Sequence, residues 1–474
     1  MNAFTAVRPC LTIAVALLLA FTYVPETGCQ SSVSPKDHRN PDTAMIKLIT
    51  LDPGHFHAAL VQKSMSPGID SNVYVYAPEG PELRSHLDLI KQYNTRRESP
   101  THWSEIIYTG NDFLEKMIAE KKGNVVVLAG NNLRKTQYIS KSVGAGLNVL
   151  SDKPMAIRAA NFEELEKAFT TAAQHQVLLY DIMTERSEIT NLLLRELVQI
   201  PDVFGTLSAG TGEAPGVTIE SVHYFYKFVS GKALTRPSWF FDPAQQGDAI
   251  TDVGTHLIDL VQWTCFPEVM LDYKKDITIH HARIWPTPIT LSQFTAVTQN
   301  DHFPSYLLPY LVHDTILDTH GNGQIDYSIK GVHVKLTAGW GYKAPEGSGD
   351  TYYCLMRGSV ANLEIKQGAA ENYKPTLYIT PLNNDQQYEA ALQKAISKMN
   401  SGHPGIRPER AGKTWKLIIP EKYDVGHEAH FSEVLQRYLK YLKAGQLPDW
   451  EVPDMIAKYY TATAALEMAD RHKK

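Results

Sequence analysis

The feature that most constrains this chain is a short apolar run, Val125 to Leu128, that leads into Ala129-Gly130-Asn131-Asn132. A run without polar interruption reads as a strand buried on both faces, as a parallel sheet covered by helices requires. A helical stretch follows, and then Gly146-Leu147-Asn148-Val149-Leu150-Ser151-Asp152-Lys153-Pro154, in which Val149-Leu150 begins the next strand. Strand, loop, helix, strand is the repeating unit of an α/β fold. In open α/β sheets ligands bind outside the carboxyl ends of the strands, so Lys153 is placed for chemistry. Taken alone, Asp-Lys-Pro is an ordinary charged turn.

A hundred residues downstream stands Thr251-Asp252-Val253-Gly254-Thr255-His256-Leu257-Ile258-Asp259. Leu257, Leu260, Val261 and Trp263 supply one apolar face, so this segment reads as the start of a buried helix. Residues four apart share a face, which puts His256 one turn beyond Asp252. A first-turn carboxylate stays ionised near the positive helix end, and an imidazole titrates near working pH. Together they could orient a hydroxyl and take its proton. The plainer reading is an N-capping Asp followed by a satisfied core histidine.

In this order and at this separation the two motifs resemble those of the glucose-fructose oxidoreductase / inositol dehydrogenase (Gfo/Idh/MocA) family of nicotinamide-dependent sugar oxidoreductases. The resemblance implies an α/β chain, with an N-terminal Rossmann dinucleotide-binding domain and a C-terminal α+β domain built on a mostly antiparallel open sheet. It places nicotinamide and hydroxyl contact on Lys153, substrate binding on Asp252 and the general base on His256. Asp152 stands where the family carries glutamate and keeps the charge. The likeness thins after Pro267.

The nucleotide turn departs from the family pattern. The strand Met45 to Leu51 is followed by Asp52-Pro53-Gly54-His55-Phe56-His57, and of a Gly-x-Gly-x-x-Gly fingerprint only Gly54 remains. Asp52 and His57 occupy the other glycine positions, and His55 and Phe56 fall beside the expected dinucleotide. Asp52 would repel a pyrophosphate unless it points away; His57 could offset this by donating to the phosphate, or serve as a structural cap of the turn. The second strand, Asn72 to Tyr76, ends in Ala77-Pro78-Glu79-Gly80, so Glu79 is the nearest acceptor for the adenosine ribose. A carboxylate there favours NAD over NADP. Asn131 and Asn132 replace the Thr-Pro-Asn loop of relatives, and with Asp152, Lys153 and Pro154 they complete the expected cofactor contacts.

The chain has 474 residues and a formal net charge of −5. It has no basic run with interleaved aromatics, which argues against a nucleic-acid partner. Arg8 precedes an apolar run from Leu11 to Ala20 of signal-peptide length, and Gly28-Cys29 resembles a bacterial lipoprotein cleavage site. The expected organisation is a signal peptide over 1–29, a linker over 30–44, the Rossmann domain over 45–181 and the C-terminal domain over 182–474. Such a protein is exported to the periplasm or outer membrane and tethered only by lipid on Cys29; ordinary secretion or an uncleaved anchor are the alternatives. Cys265 and Cys354 could bridge or remain buried free thiols. A homo-oligomer is expected.

Between the motifs, Arg186 follows the last Rossmann strand (Val177 to Asp181) where relatives carry an arginine near the cofactor. It could meet a substrate or nucleotide oxygen, or pair with Glu185 or Glu188 on an exposed helix. His223 and Trp239 are candidate walls for a sugar, whose C–H faces stack on aromatics. No metal is expected: Asp318 to Asp326 imitates a calcium loop but has Ile329 at its twelfth position and reads as a hairpin, while His427-Glu428-Ala429-His430 lacks metalloprotease spacing. Residues 366–422 read as loops and one helix. Phe431, Val434, Leu435, Tyr438 and Leu442 form a helical stripe, and a second helix runs from Met455 to Met468; both are expected to pack back on the Rossmann unit. The expected activity is hydride transfer between a carbohydrate or glycoside hydroxyl and tightly held NAD. Glycoside cleavage through a transient keto-sugar, or sugar binding without catalysis, are the competing functions.

Overall fold

The computed structural model describes residues 45–471 apart from 230–231 and 384; the expected signal peptide and linker, Cys29 included, lie outside the described residues. The first half is a parallel six-stranded sheet in the order β3-β2-β1-β4-β5-β6. Its strands are β1 (Leu48–Leu51), β2 (Asn72–Tyr76), β3 (Ser104–Tyr108), β4 (Val125–Leu128), β5 (Asn148–Asp152) and β6 (Leu179–Ile182). Every residue of β1, β4 and β6 is buried, because helices cover both faces of the sheet. This is the Rossmann order, and it reverses between β1 and β4, where α/β proteins open a ligand crevice.

The second half carries a large sheet whose main path runs 277–290, 316–329, 332–343, 217–226, 351–357, 361–367, 376–381, 414–418, 407–411. Each neighbouring pair is antiparallel except Val332–Lys343 beside Val217–Tyr226, which is parallel. The helix Val253–Cys265, which carries the Asp-x-Gly-x-His-x-x-Asp motif, buries Leu257, Leu260 and Val261 in one core with Val217, Ile219, Leu336 and Ala338 of this sheet. Among the described residues no helix is long and apolar enough to cross a membrane.

Two local expectations are corrected, and one choice left open is resolved. Asp318 to Asp326 is no hairpin but the middle of the strand Ile316–Ile329. The reversal comes at Lys330-Gly331, whose φ values of 48° and 80° suit the primed turn that a two-residue hairpin needs. Residues 366–422 hold strands at Thr376–Pro381, Arg407–Ala411 and Thr414–Ile418 as well as the helix Gln386–Met399. Cys265 and Cys354 are free thiols, with Cys265 Sγ 3.7 Å from Met356 Sδ.

The two terminal helices, His427–Ala444 and Glu451–Arg471, do pack back on the first sheet. Phe431, Val434, Leu435, Tyr438, Met455 and Tyr459 join the core of Leu48, Val126, Val149 and Tyr180. A buried charge network fastens this joint. Lys458 Nζ lies 2.7 Å from both Asp181 Oδ2 of β6 and Asp259 Oδ1 of the motif helix. Arg186 forks onto the same Asp259 with two 2.7 Å bonds and reaches Glu451 at 3.0 Å. Burial alone would raise the Asp259 carboxyl, but Arg186 and Lys458 hold it well below the ordinary carboxylate range.

Removing one partner of a buried ion cluster strands the others without compensation, a cost of about 3–5 kcal/mol. Lys458→Met should therefore lower the unfolding free energy measured by urea titration by an amount in that range, and an unchanged midpoint would refute the network's role. Asp454, beside the cluster, has neither carboxylate oxygen hydrogen-bonded, and burial pushes it up to about 8. A raised folded-state value stabilises the protein at low pH and loses that contribution as pH rises through it. Urea melts should show stability falling as pH rises through about 8, and Asp454→Asn should flatten that fall.

Candidate active site

Lys153, Asp252 and His256 converge in a cavity of about 460 Å³ outside the carboxyl ends of β1, β4 and β5. Lys153 follows β5 and is joined to Pro154 by a cis peptide bond. Its Nζ donates to Asp252 Oδ1 at 2.5 Å, so the two motifs close on each other. Burial would raise Asp252, yet the Lys153 ammonium holds it ionised below its ordinary value. His256 lies one turn along the same helix; burial, reinforced by Lys153, pulls it down to about 4. The imidazole is thus a free base at neutral pH, and its Nδ1 is buried without a hydrogen-bond partner. The plainer reading, Asp252 as a helix cap, fails, since its side chain makes no cap hydrogen bond.

The opposite wall comes from the large sheet. His223 lies on the strand Val217–Tyr226, with Nδ1 3.1 Å from Asp350 Oδ2 and Nε2 3.1 Å from Ser221 Oγ. Lys227 also reaches Asp350 at 3.0 Å. Strand register sets Trp340 beside His223, their rings 5.2 Å apart. Arg236, buried, donates to the Phe225 carbonyl oxygen and lies 4.4 Å from the Phe240 ring and 4.9 Å from that of Trp340. None of Trp340, Phe240, Arg236 and Asp350 was selected from sequence. Only strand register and loop packing bring them here; the aromatic and basic cluster around Arg236 to Phe241 was the available signal.

Two candidates fall elsewhere. Trp239 does not line this cavity; its neighbour Phe240 does, because adjacent residues of the short 3-10 turn Ser238–Phe241 point to different sides. Arg186 is fully buried away from the cavity, and its guanidinium is committed to Asp259 and Glu451. It is neither a substrate ligand nor a surface ion pair with Glu185 or Glu188.

A second groove, about 480 Å³, lies at the tips of β1, β2 and β4 and is lined by Asp52, Gly54, Glu79, Asn131, Arg134 and Trp239. Glu79 is exposed at its lip. Asp52 takes the left-handed backbone (φ 47°) that the fingerprint assigns to glycine. Its carboxylate accepts from Tyr138 Oη at 2.7 Å. The grooves meet where Gly54 touches the β4 loop: a Cβ on Gly54 would stand 3.3 Å from Asn131 N and 3.4 Å from Trp239. Asn131 and Asn132 bond Gln245 and Gln246 across this junction, at 2.7 Å each. Asn132 Oδ1 remains buried without a partner in the catalytic cavity. The residues fit a nicotinamide dinucleotide at both ends: a carboxylate at the lip of one groove, and in the other an orphaned amide oxygen and an orphaned imidazole nitrogen in the cavity that Lys153 also lines.

Asp152, His55 and His57 form the floor. His57 Nδ1 lies 2.9 Å from Asp152 Oδ2, and His55 Nδ1 lies 3.9 Å from the same oxygen. His57 therefore does more than cap the turn, since its ring ties β1 to β5. Phe56 packs against both imidazoles.

The family described as "Putative oxidoreductase C terminal domain" matches residues 193–470. A "putative oxidoreductase" from Parabacteroides merdae is 50% identical, with a TM-score of 0.89 over 91% of this chain and 98% of that one. At 14% identity and a TM-score of 0.52, myo-inositol 2-dehydrogenase from Lactobacillus plantarum covers 90% of this chain and 98% of its own. A 3-ketoreductase from Actinomadura kijaniata, solved with NADP and TDP-benzene, is 12% identical with a TM-score of 0.52, over 88% of this chain and 95% of its own. These two share the fold. No curated protein matches the chain. The chain belongs to the family of that C-terminal domain and is an oxidoreductase of Gfo/Idh/MocA type.

Proposed function

We propose that this chain moves a hydride between a carbohydrate hydroxyl carbon and NAD. The observation that carries the reading is the convergence of Lys153, Asp252 and His256 in one cavity at the carboxyl ends of the strands. The nicotinamide, when bound, supplies the hydride acceptor. His256 accepts the hydroxyl proton. A base held near 4 is weak, so proton transfer proceeds only as the C–H bond breaks and the oxygen becomes a carbonyl. The Lys153 ammonium stabilises negative charge developing on that oxygen in a water-poor site. Asp252 orients Lys153 and accepts from a neighbouring sugar hydroxyl. Trp340 and Phe240 offer flat apolar surface to the C–H face of a ring, and His223, ordered by Asp350, offers it a polar edge.

Glu79 supports NAD over NADP, since a carboxylate accepts the ribose hydroxyls and repels a 2′-phosphate. The N-terminal motif supports export and tethering through Cys29, and a homo-oligomer is part of the same proposal. A lipid-anchored enzyme outside the cytoplasm would need tightly held cofactor.

The test is single-turnover reduction of bound NAD, followed by absorbance on mixing with a panel of hexoses, disaccharides and aryl glycosides. His256→Ala should slow it by about 10²–10⁴-fold with sugar binding little changed. Lys153→Ala should slow it at least as much. An undiminished rate in either variant would sink these roles, and failure of wild type with every sugar would sink the substrate class. Glu79→Lys should shift relative affinity toward NADP, measured by calorimetry on stripped protein. The His256 imidazole, followed by NMR, should titrate near 4 and move upward in Lys153→Met, because a neighbouring positive charge is removed.

A further inference from the structure

The turn that lost its glycines gained two histidines, and they meet a carboxylate from another strand. His55 and His57 come from the loop after β1 and Asp152 from the end of β5; one ligand atom from each lies within 4.8 Å of the others. Bonds of about 2.0–2.1 Å at a tetrahedral zinc-type centre set its ligands about 3.3 Å apart. The spacings of 2.9 Å and 3.9 Å to Asp152 Oδ2 bracket that edge. The two imidazoles stand perpendicular with centroids 4.0 Å apart, so they cannot stack and their nitrogens turn toward the carboxylate. Phe56 holds both rings from one side, and Phe431 packs 4.6 Å from His57.

An imidazole–carboxylate pair explains His57 and Asp152 but leaves His55 over. Among the described residues its Nδ1 accepts a hydrogen bond from the His57 amide alone, at 3.5 Å, the limit of such a bond. All three side chains line the catalytic cavity, and His55 is the most open of them, which gives an entry path and free coordination positions. Behind the site, Lys135 Nζ donates to the Asp152 backbone oxygen and fixes the end of the strand.

We propose that His55, His57 and Asp152 form a divalent transition-metal site, a face of two imidazoles and one carboxylate whose remaining positions open into the cavity. Imidazole donors suit zinc, copper, iron or nickel, whereas magnesium and calcium prefer oxygen ligands alone. The motifs from which metal binding was judged in the sequence lie elsewhere, at Asp318 to Asp326 and His427 to His430. The site stands independently of the hydride-transfer reading, because its test needs no substrate and no nucleotide.

The full chain, without a polyhistidine tag, is stripped with chelator and titrated with Co2+ while its visible absorption is recorded and the bound metal counted. One Co2+ per chain, with a visible ligand-field band displaced by Zn2+, is the expected result. His55→Ala should weaken it at least tenfold, as should Asp152→Asn, with His55→Gln in reserve if the alanine variant unfolds by circular dichroism. His102→Ala, at an exposed histidine, should leave it unchanged. Absence of the band in wild type, or equal affinity in the His55 and Asp152 variants, overturns the proposal.

Discussion

The seating of the motif helix, and with it of His256, depends on the buried cluster of Asp181, Arg186, Asp259, Glu451 and Lys458. Asp259 closes the Asp-x-Gly-x-His-x-x-Asp motif, and one turn earlier on the same helix stands His256. Fixing Asp259 from two sides therefore fixes where the imidazole sits relative to Lys153. Ions without water are costly, and the arrangement is tolerable because every charge has an opposite neighbour within about 3 Å. Such a cluster also discriminates: a helix rotated by one residue would leave Asp259 among apolar side chains, so few alternative packings of the motif helix survive.

The crevice at the strand-order reversal shows how the fold accommodates an unusual turn. Where glycines would leave space, Asp52 is drawn aside by Tyr138, and His57 is tied to Asp152. The turn thus exchanges open backbone for side-chain bonds. Gly54 persists at the closest approach, where any side chain would press on the β4 loop and on Trp239.

Much of this was legible in the sequence, for identifiable reasons. The apolar run at Val125 to Leu128 can be read because burial on both faces removes polar residues. Asp252 and His256 can be read because four residues is one helical turn. What stayed hidden was set by contacts between distant segments. Arg186 carries no local sign that Glu451, 265 residues away, will claim it. Trp239 and Phe240 are equivalent on paper, and a single turn of 3-10 helix sends them to different cavities. Trp340 reaches the site through strand register, and Asp350 from the loop that leads into the strand Thr351–Arg357. The strands within 366–422 escaped because their alternation is short and two of them lie near the sheet's edge, where the side chains stay polar.

The seat of the catalytic helix is completed by residues that leave the ribosome well after the helix itself, Lys458 following Asp259 by 199 residues. Until Glu451 and Lys458 have emerged, Asp181, Asp259 and Arg186 face a nascent interior holding two carboxylates against one guanidinium, with the helix Glu451–Arg471 still missing. The sheet can assemble early, since its strands are neighbours in the chain, whereas the motif helix cannot be seated until Glu451 and Lys458 have followed it. A chain cut short before Glu451 would keep every residue of the catalytic triplet and still lack the support that aims it.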